Sequence, residues 1–232
     1  MNVPQNRAFE WVSPDLQPFV LVFFILVAAT RFFYVLWPKY RVFKQVPKQD
    51  RFNNPIKRLW NTICIAIFQT KMFKETKSGL MHALIFWGFF ILLLRALWFF
   101  LIGFFPFAEL GFGRFEVFYA LLKDTFVFLV TIAASYALYR RMVTRLERLT
   151  LSSEGIVILI LILLIMISDT LFDAGWLARN PEASLNSIWI GSLIAPILMV
   201  FGVEAVVHLH NLAYWMHVVC ILYFLALLPG SK

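Results

Sequence analysis

Only four histidines occur in the chain: His82, His208, His210 and His217. All four stand in apolar sequence. A neutral imidazole offers a ring nitrogen to haem iron or another metal. In a membrane-spanning helix it is costly, and it usually faces the bundle interior, a ligand or a cavity. Two facing helices that each present one histidine can hold a haem with both axial positions filled, and such iron exchanges electrons rather than binding oxygen. The plainer alternative is that each histidine only hydrogen-bonds a neighbouring helix. His210 and His217 are separated by two helical turns, so they share a face about 10 Å apart, whereas His208 points to the opposite face.

The elements that must carry these residues are set by hydropathy. The 232-residue chain is 61% hydrophobic, with a mean hydropathy of +0.79. A soluble domain could not hide so much apolar surface, and the chain reads as an integral membrane protein of the all-α class. Five segments are long enough to span, at about residues 18–37, 79–105, 117–139, 155–176 and 202–228. A sixth apolar piece, about 187–201, is shortened by Gly191 and Pro196 and reads as a re-entrant or interfacial segment. The stretch at about 55–73 places Ile56, Leu59, Trp60, Ile63, Cys64, Ile67 and Phe68 at helical spacing. It is either an amphipathic helix on the inner leaflet or a helix packed under the bundle or against a partner. The start of the chain lacks the basic and short apolar regions of a signal peptide.

Charge orients the bundle. The net charge is +8, and the basic residues concentrate between the first and second spans (Lys39 to Lys77) and between the third and fourth (Arg140, Arg141, Arg145, Arg148). The opposite loops offer only Arg114 and Arg179. The positive-inside rule then puts the N-terminus outside and the C-terminus inside. The basic balance signifies orientation and anionic headgroups rather than nucleic acid. Cys64 and Cys220 are far apart with no CxxC, so neither an iron–sulfur cluster nor a zinc site is encoded in this stretch. No HExxH is present, which disfavours an intramembrane metalloprotease.

In this topology His82 lies in the first turns of the second span, near the inside. His217 is the innermost histidine of the fifth span and so its best partner. Counted from the segment boundaries, His82 lies roughly 10 Å nearer the inside than His217, an offset that helix tilt must absorb.

Four stretches, "KSGLMHALIFWGFF", "YRRMVTRLERLTLSSEG", "LIMISDTLFDAGW" and "LHNLAYWMHVVCILYFLALLPGSK", resemble the membrane cytochrome b domain of the respiratory nitrate reductase gamma-subunit superfamily. The similarity runs from roughly Pro18 to Lys232. It is nearer to the branch in which this domain is the N-terminal part of heterodisulfide-reductase-like iron–sulfur proteins, including electron-transfer-flavoprotein:menaquinone oxidoreductases. The resemblance implies a five-helix transmembrane bundle in a bacterial or archaeal cytoplasmic membrane, with haem b between the second and fifth spans. His82 and His217 take the places of that haem's axial ligands. A second haem would need histidines where this chain has Leu92 and Met199. His210 then serves another haem, shapes a quinone site or bonds a propionate. The partners implied are the quinone pool and a cytoplasmic iron–sulfur subunit or fused domain with CCG-type motifs.

Further polar residues in the spans carry weaker expectations. Arg95 lies thirteen residues beyond His82, about 19 Å along the helix. It pairs with an acid such as Asp169 or snorkels, or else serves a quinone or second haem. Arg31, near the inner end of the first span, is at the depth of a haem propionate, or else it simply snorkels. Lys123 and Asp124 read as local ion pairs. Asp169 and Glu204 are candidates for a proton path to quinone. The competing reading of the whole chain is a non-redox anchor or transporter with structural histidines.

Overall fold

In the computed structural model, which describes residues 11–47, 53–74, 76–105, 113–144, 153–181 and 187–230, each long apolar segment is one helix. They are α1 (Gln17–Lys44), α3 (Thr76–Phe104), α4 (Arg114–Met142), α5 (Ser153–Arg179) and α7 (Val203–Leu227), with α2 (Pro55–Thr62) and α6 (Trp189–Met199) as shorter pieces. All five long helices have the length and hydropathy to cross a membrane. No strand occurs among the described residues. Lys48, Arg51, Arg145 and Arg148 lie outside the described residues.

Several boundaries differ from the hydropathic reading. The first span runs on past Trp37 to Lys44, with Pro38 inside the helix. Proline removes one backbone donor there, but the chain stays helical on both sides. The amphipathic stretch is shorter than expected. α2 passes into a π-helical turn at Ile63–Ile67, and the positive φ of Gln69 ends it. The interrupted segment forms α6, which includes Pro196 and packs on α5. Gly202, at φ 88°, turns the chain from α6 into α7. An L side chain is strained in that conformation.

Apolar lipid gives helices little reason to associate, so close approach and polar pairing must do it. α4 buries a small-residue face, with Ala133, Ala134 and Ala137 inside. α5 and α7 form the most extensive pair and bury Ala174, Ala178 and Ala213. Between α1, α3, α5 and α7 sits a core of Leu21, Phe99, Ile102, Phe172, Ala213 and Tyr214. α1 is tied in at its first turn. The fully buried Gln17 amide donates to the carbonyls of Ile102 (3.3 Å) and Gly103 (3.2 Å), which lie in the last turn of α3, where carbonyls have no intrahelical donor. Most of α1 is otherwise exposed.

Candidate functional site

α5 and α7 meet at two stations seven residues apart on each helix. At one, His210 Nδ1 lies 2.8 Å from the carbonyl of Phe172. At the other, His217 Nδ1 lies 3.1 Å from the carbonyl of Ile165. A carbonyl only accepts, so Nδ1 carries the proton in both rings and Nε2 is left with a lone pair. Ser168 joins the second station: its Oγ donates to the Ile165 carbonyl at 2.9 Å and accepts from His217 Nδ1 at 3.0 Å. Both histidines are buried. His210 Nε2 is also buried and has no hydrogen-bond partner among the described residues.

Close approach makes the first station. A Cβ placed on Gly175 would stand 2.9 Å from His210 Cβ and 3.3 Å from its Nδ1. Only glycine lets α5 come this near without pushing the imidazole away.

The rings join a column of aromatics. His210 stacks on Phe172 with centroids 4.2 Å apart, and His217 stacks on Phe99 at 4.2 Å. Phe99 and Phe172 themselves meet at 4.8 Å, tilted by 57°, so a continuous series of ring contacts runs His210, Phe172, Phe99, His217. The Arg95 guanidinium lies 4.8 Å from the Phe99 centroid and 5.6 Å from that of Phe172, within the range of a cation–π contact.

Arg95 also anchors a buried charge cluster. Its Nε is 2.8 Å from Asp169 Oδ1, and its Nη2 meets Asp173. Lys123 on α4 meets both carboxylates from the other side, at 3.0 Å from Asp169 Oδ2 and in close contact with Asp173. Lys123 also lies 3.3 Å from Asp124. Asp169 and Asp173 are one turn apart, so they face the same way. Asp124 accepts the backbone amide of Ile190 at 2.6 Å, which fastens the start of α6 to α4. Two cations and three carboxylates thus share a buried site that joins α3, α4, α5 and α6. The expected local ion pair of Lys123 with Asp124 is present, and further partners come from two other helices. The pairing of Arg95 with Asp169 is as expected.

The remaining candidates are not gathered here. His82 is exposed on α3. Phe99, the α3 residue stacked on His217, is seventeen residues further on, about 25 Å along the helix. The structure therefore sets His82 and the His217 station at different levels of α3. On the α7 side the chemistry does suit an axial ligand, because an Nδ1–H held by a carbonyl leaves the Nε2 lone pair free. Leu92 packs with Val127, Val130 and Met166. Arg31 is exposed on α1 and Glu204 is exposed in the first turn of α7, so neither faces the histidine stack. His208 is on the outside too and accepts from Trp11 Nε1 at 2.9 Å. Phe99, Phe172, Ser168 and Gly175 were not singled out from sequence. The signal that could have found them is the matched seven-residue spacing of Ile165 and Phe172 against His210 and His217.

No family model matches the chain, and no solved structure matches it. Two curated proteins do. Over 214 residues, 91% of this chain and 30% of the relative, it is 28% identical to the probable iron–sulfur-binding oxidoreductase FadF of Bacillus subtilis. Over 242 residues, 99% of this chain and 32% of the relative, it is 25% identical to the EtfAB:quinone oxidoreductase of Syntrophomonas wolfei. The chain spans about a third of the length of these relatives. Its helical membrane-type bundle is thus similar to part of an iron–sulfur-binding oxidoreductase and part of a quinone oxidoreductase.

Proposed function

We propose that the chain is the membrane module of a quinone-linked oxidoreductase, exchanging electrons between an iron–sulfur protein on the basic side of the membrane and the quinone pool. The observation that carries this reading is the pair of buried, anchored histidines on α7, each held through Nδ1 with Nε2 left as a lone pair. Both relatives are named as oxidoreductases, one iron–sulfur-binding and one acting on quinone, and five helices have the length and hydropathy to place the module in the lipid layer where quinone dissolves.

The same reading includes haem b, which rests on the resemblance of four stretches to the nitrate reductase gamma-subunit superfamily and on the two anchored imidazoles of α7. When bound, haem supplies one-electron transfer. The residues as folded fit this group only on one side. His217 and His210 offer suitable nitrogens, while His82 is exposed and far along α3. The protein's own part is to hold both imidazoles in one tautomer, to stack them on Phe172 and Phe99 away from water, and to set Arg95 and its carboxylates beside that stack.

The test is a visible spectrum of the full chain expressed with haem available, before and after dithionite, together with its haem-to-protein ratio. The expected result is a set of b-type bands that His217→Ala removes. A colourless preparation that quinol does not reduce would leave the anchor or transporter reading in place. His82→Ala sharpens the geometry: full haem content in that variant excludes His82 as a ligand, and loss of haem requires α3 to slide or tilt relative to α7.

A further inference from the structure

A cleft of about 460 Å³ opens between the first turn of α3 and the last turns of α4. It is at the end of the bundle where basic residues collect, the side that the positive-inside rule makes cytoplasmic. Two cations on different helices line it, Lys77 and Arg140, with the hydroxyl residues Thr76 and Ser78 beside them. None of its lining residues is acidic. The first amides of α3 have no acceptor within the helix and carry the positive end of its dipole. The Arg140 guanidinium lies 5.9 Å from the Tyr136 ring centroid, which keeps it at the cleft. The hydroxyl of Thr144 donates to the Arg140 carbonyl at 2.7 Å, so it does not compete for an anion.

We propose that this cleft binds the phosphate headgroup of an anionic membrane lipid. Two positive charges, hydroxyl donors and a helix start together suit a phosphate better than any cation or neutral ligand. Basic pockets between spanning helices on the cytoplasmic side are where acidic lipid headgroups bind. The lipid source rather than a dissolved anion follows from the surroundings. Tyr136 and Tyr139, both on the cleft wall, are 41% and 52% exposed, and tyrosine at the end of a span sits at headgroup level. A lipid there would brace α3 against α4 at the end of the bundle opposite to the buried charge cluster.

The experiment is native mass spectrometry of the full chain in a neutral detergent, titrated separately with phosphatidylglycerol, phosphatidylcholine and inorganic phosphate. One saturable phosphatidylglycerol site is expected, at least tenfold tighter than phosphatidylcholine. The double variant Lys77→Gln/Arg140→Gln is expected to weaken it about thirtyfold, while Lys77→Arg/Arg140→Lys retains it. Removing the same number of charges from α1, as Arg41→Gln/Lys44→Gln, is expected to change nothing. Equal binding of the two lipids, or equal weakening by both double variants, overturns the site. Inorganic phosphate that binds as tightly as phosphatidylglycerol assigns the cleft to a soluble anion and overturns the lipid. The wild-type lipid comparison decides the matter even where a variant fails to fold.

Discussion

α7 and the first turns of α3 treat the same residue type in opposite ways. His210 and His217 are buried, fixed through one ring nitrogen and stacked on phenylalanine. His82 is exposed. An anchored imidazole has a defined tautomer and an aimed lone pair, so it is prepared for a ligand before the ligand arrives. An exposed imidazole acquires a direction only when something outside the helix supplies one. The contrast extends to the cations. Arg95 and Lys123 are locked between carboxylates, whereas Arg31, Lys77 and much of the basic end remain open to lipid or a partner. One half of the bundle is organised from within, and the other waits for an occupant.

The sharpest way to break this contrast is at Asp169. Asp169→Ala leaves Arg95 and Lys123 each short of a buried partner, and loss of one member of such a pair costs about 3–5 kcal/mol. Thermal unfolding in detergent should show a large drop in Tm; an unchanged Tm would mean that the cluster does not hold α3, α4 and α5 together. A smaller effect is expected from Gly175→Ala, whose methyl collides with His210. Overpacking of this kind costs about 1–3 kcal/mol, and the His210 ring resonances should shift while those of His208 stay put. If the His210 resonances do not move, the close approach of α5 and α7 is not what orients that ring. Least of all should Arg31→Gln matter. An exposed substitution stays within about 0.5 kcal/mol, and haem content or quinol reactivity should be unaltered; a clear loss of either would place α1 in the site after all.

Much of this fold is legible in hydropathy alone. Twenty or more apolar residues in a row permit little but a spanning helix, and the five long helices follow from that. The pairing of Arg95 with an acid was legible as well, because a buried guanidinium demands one and Asp169 lies at a suitable depth. Depth and face are what a helical sequence encodes directly. The counted offset between His82 and His217 was therefore informative: the stacking partner of His217 on α3 is Phe99, well beyond His82. What periodicity does not encode is which neighbour a face meets. Phe99 and Phe172 read as two of 26 phenylalanines until the rotation of α3 against α5 and α7 is known. The reach of Lys123 was hidden likewise, since the adjacent Asp124 offered a sufficient partner in sequence.

The length of α1 has a consequence of its own. Its 28 residues measure about 42 Å, against a hydrocarbon layer of about 30 Å. It is fastened at its first turn by Gln17 to α3 and near its far end by Lys39, which meets the carbonyl of Pro229 after α7. A rod longer than the slab it crosses must lean or protrude. With the upper fastening fixed, the surplus lies beyond Pro38, where Tyr40, Arg41, Phe43 and Lys44 emerge as a rigid stub. The lean of α1 therefore bears on the C-terminal end of α7, where Lys39 meets the Pro229 carbonyl.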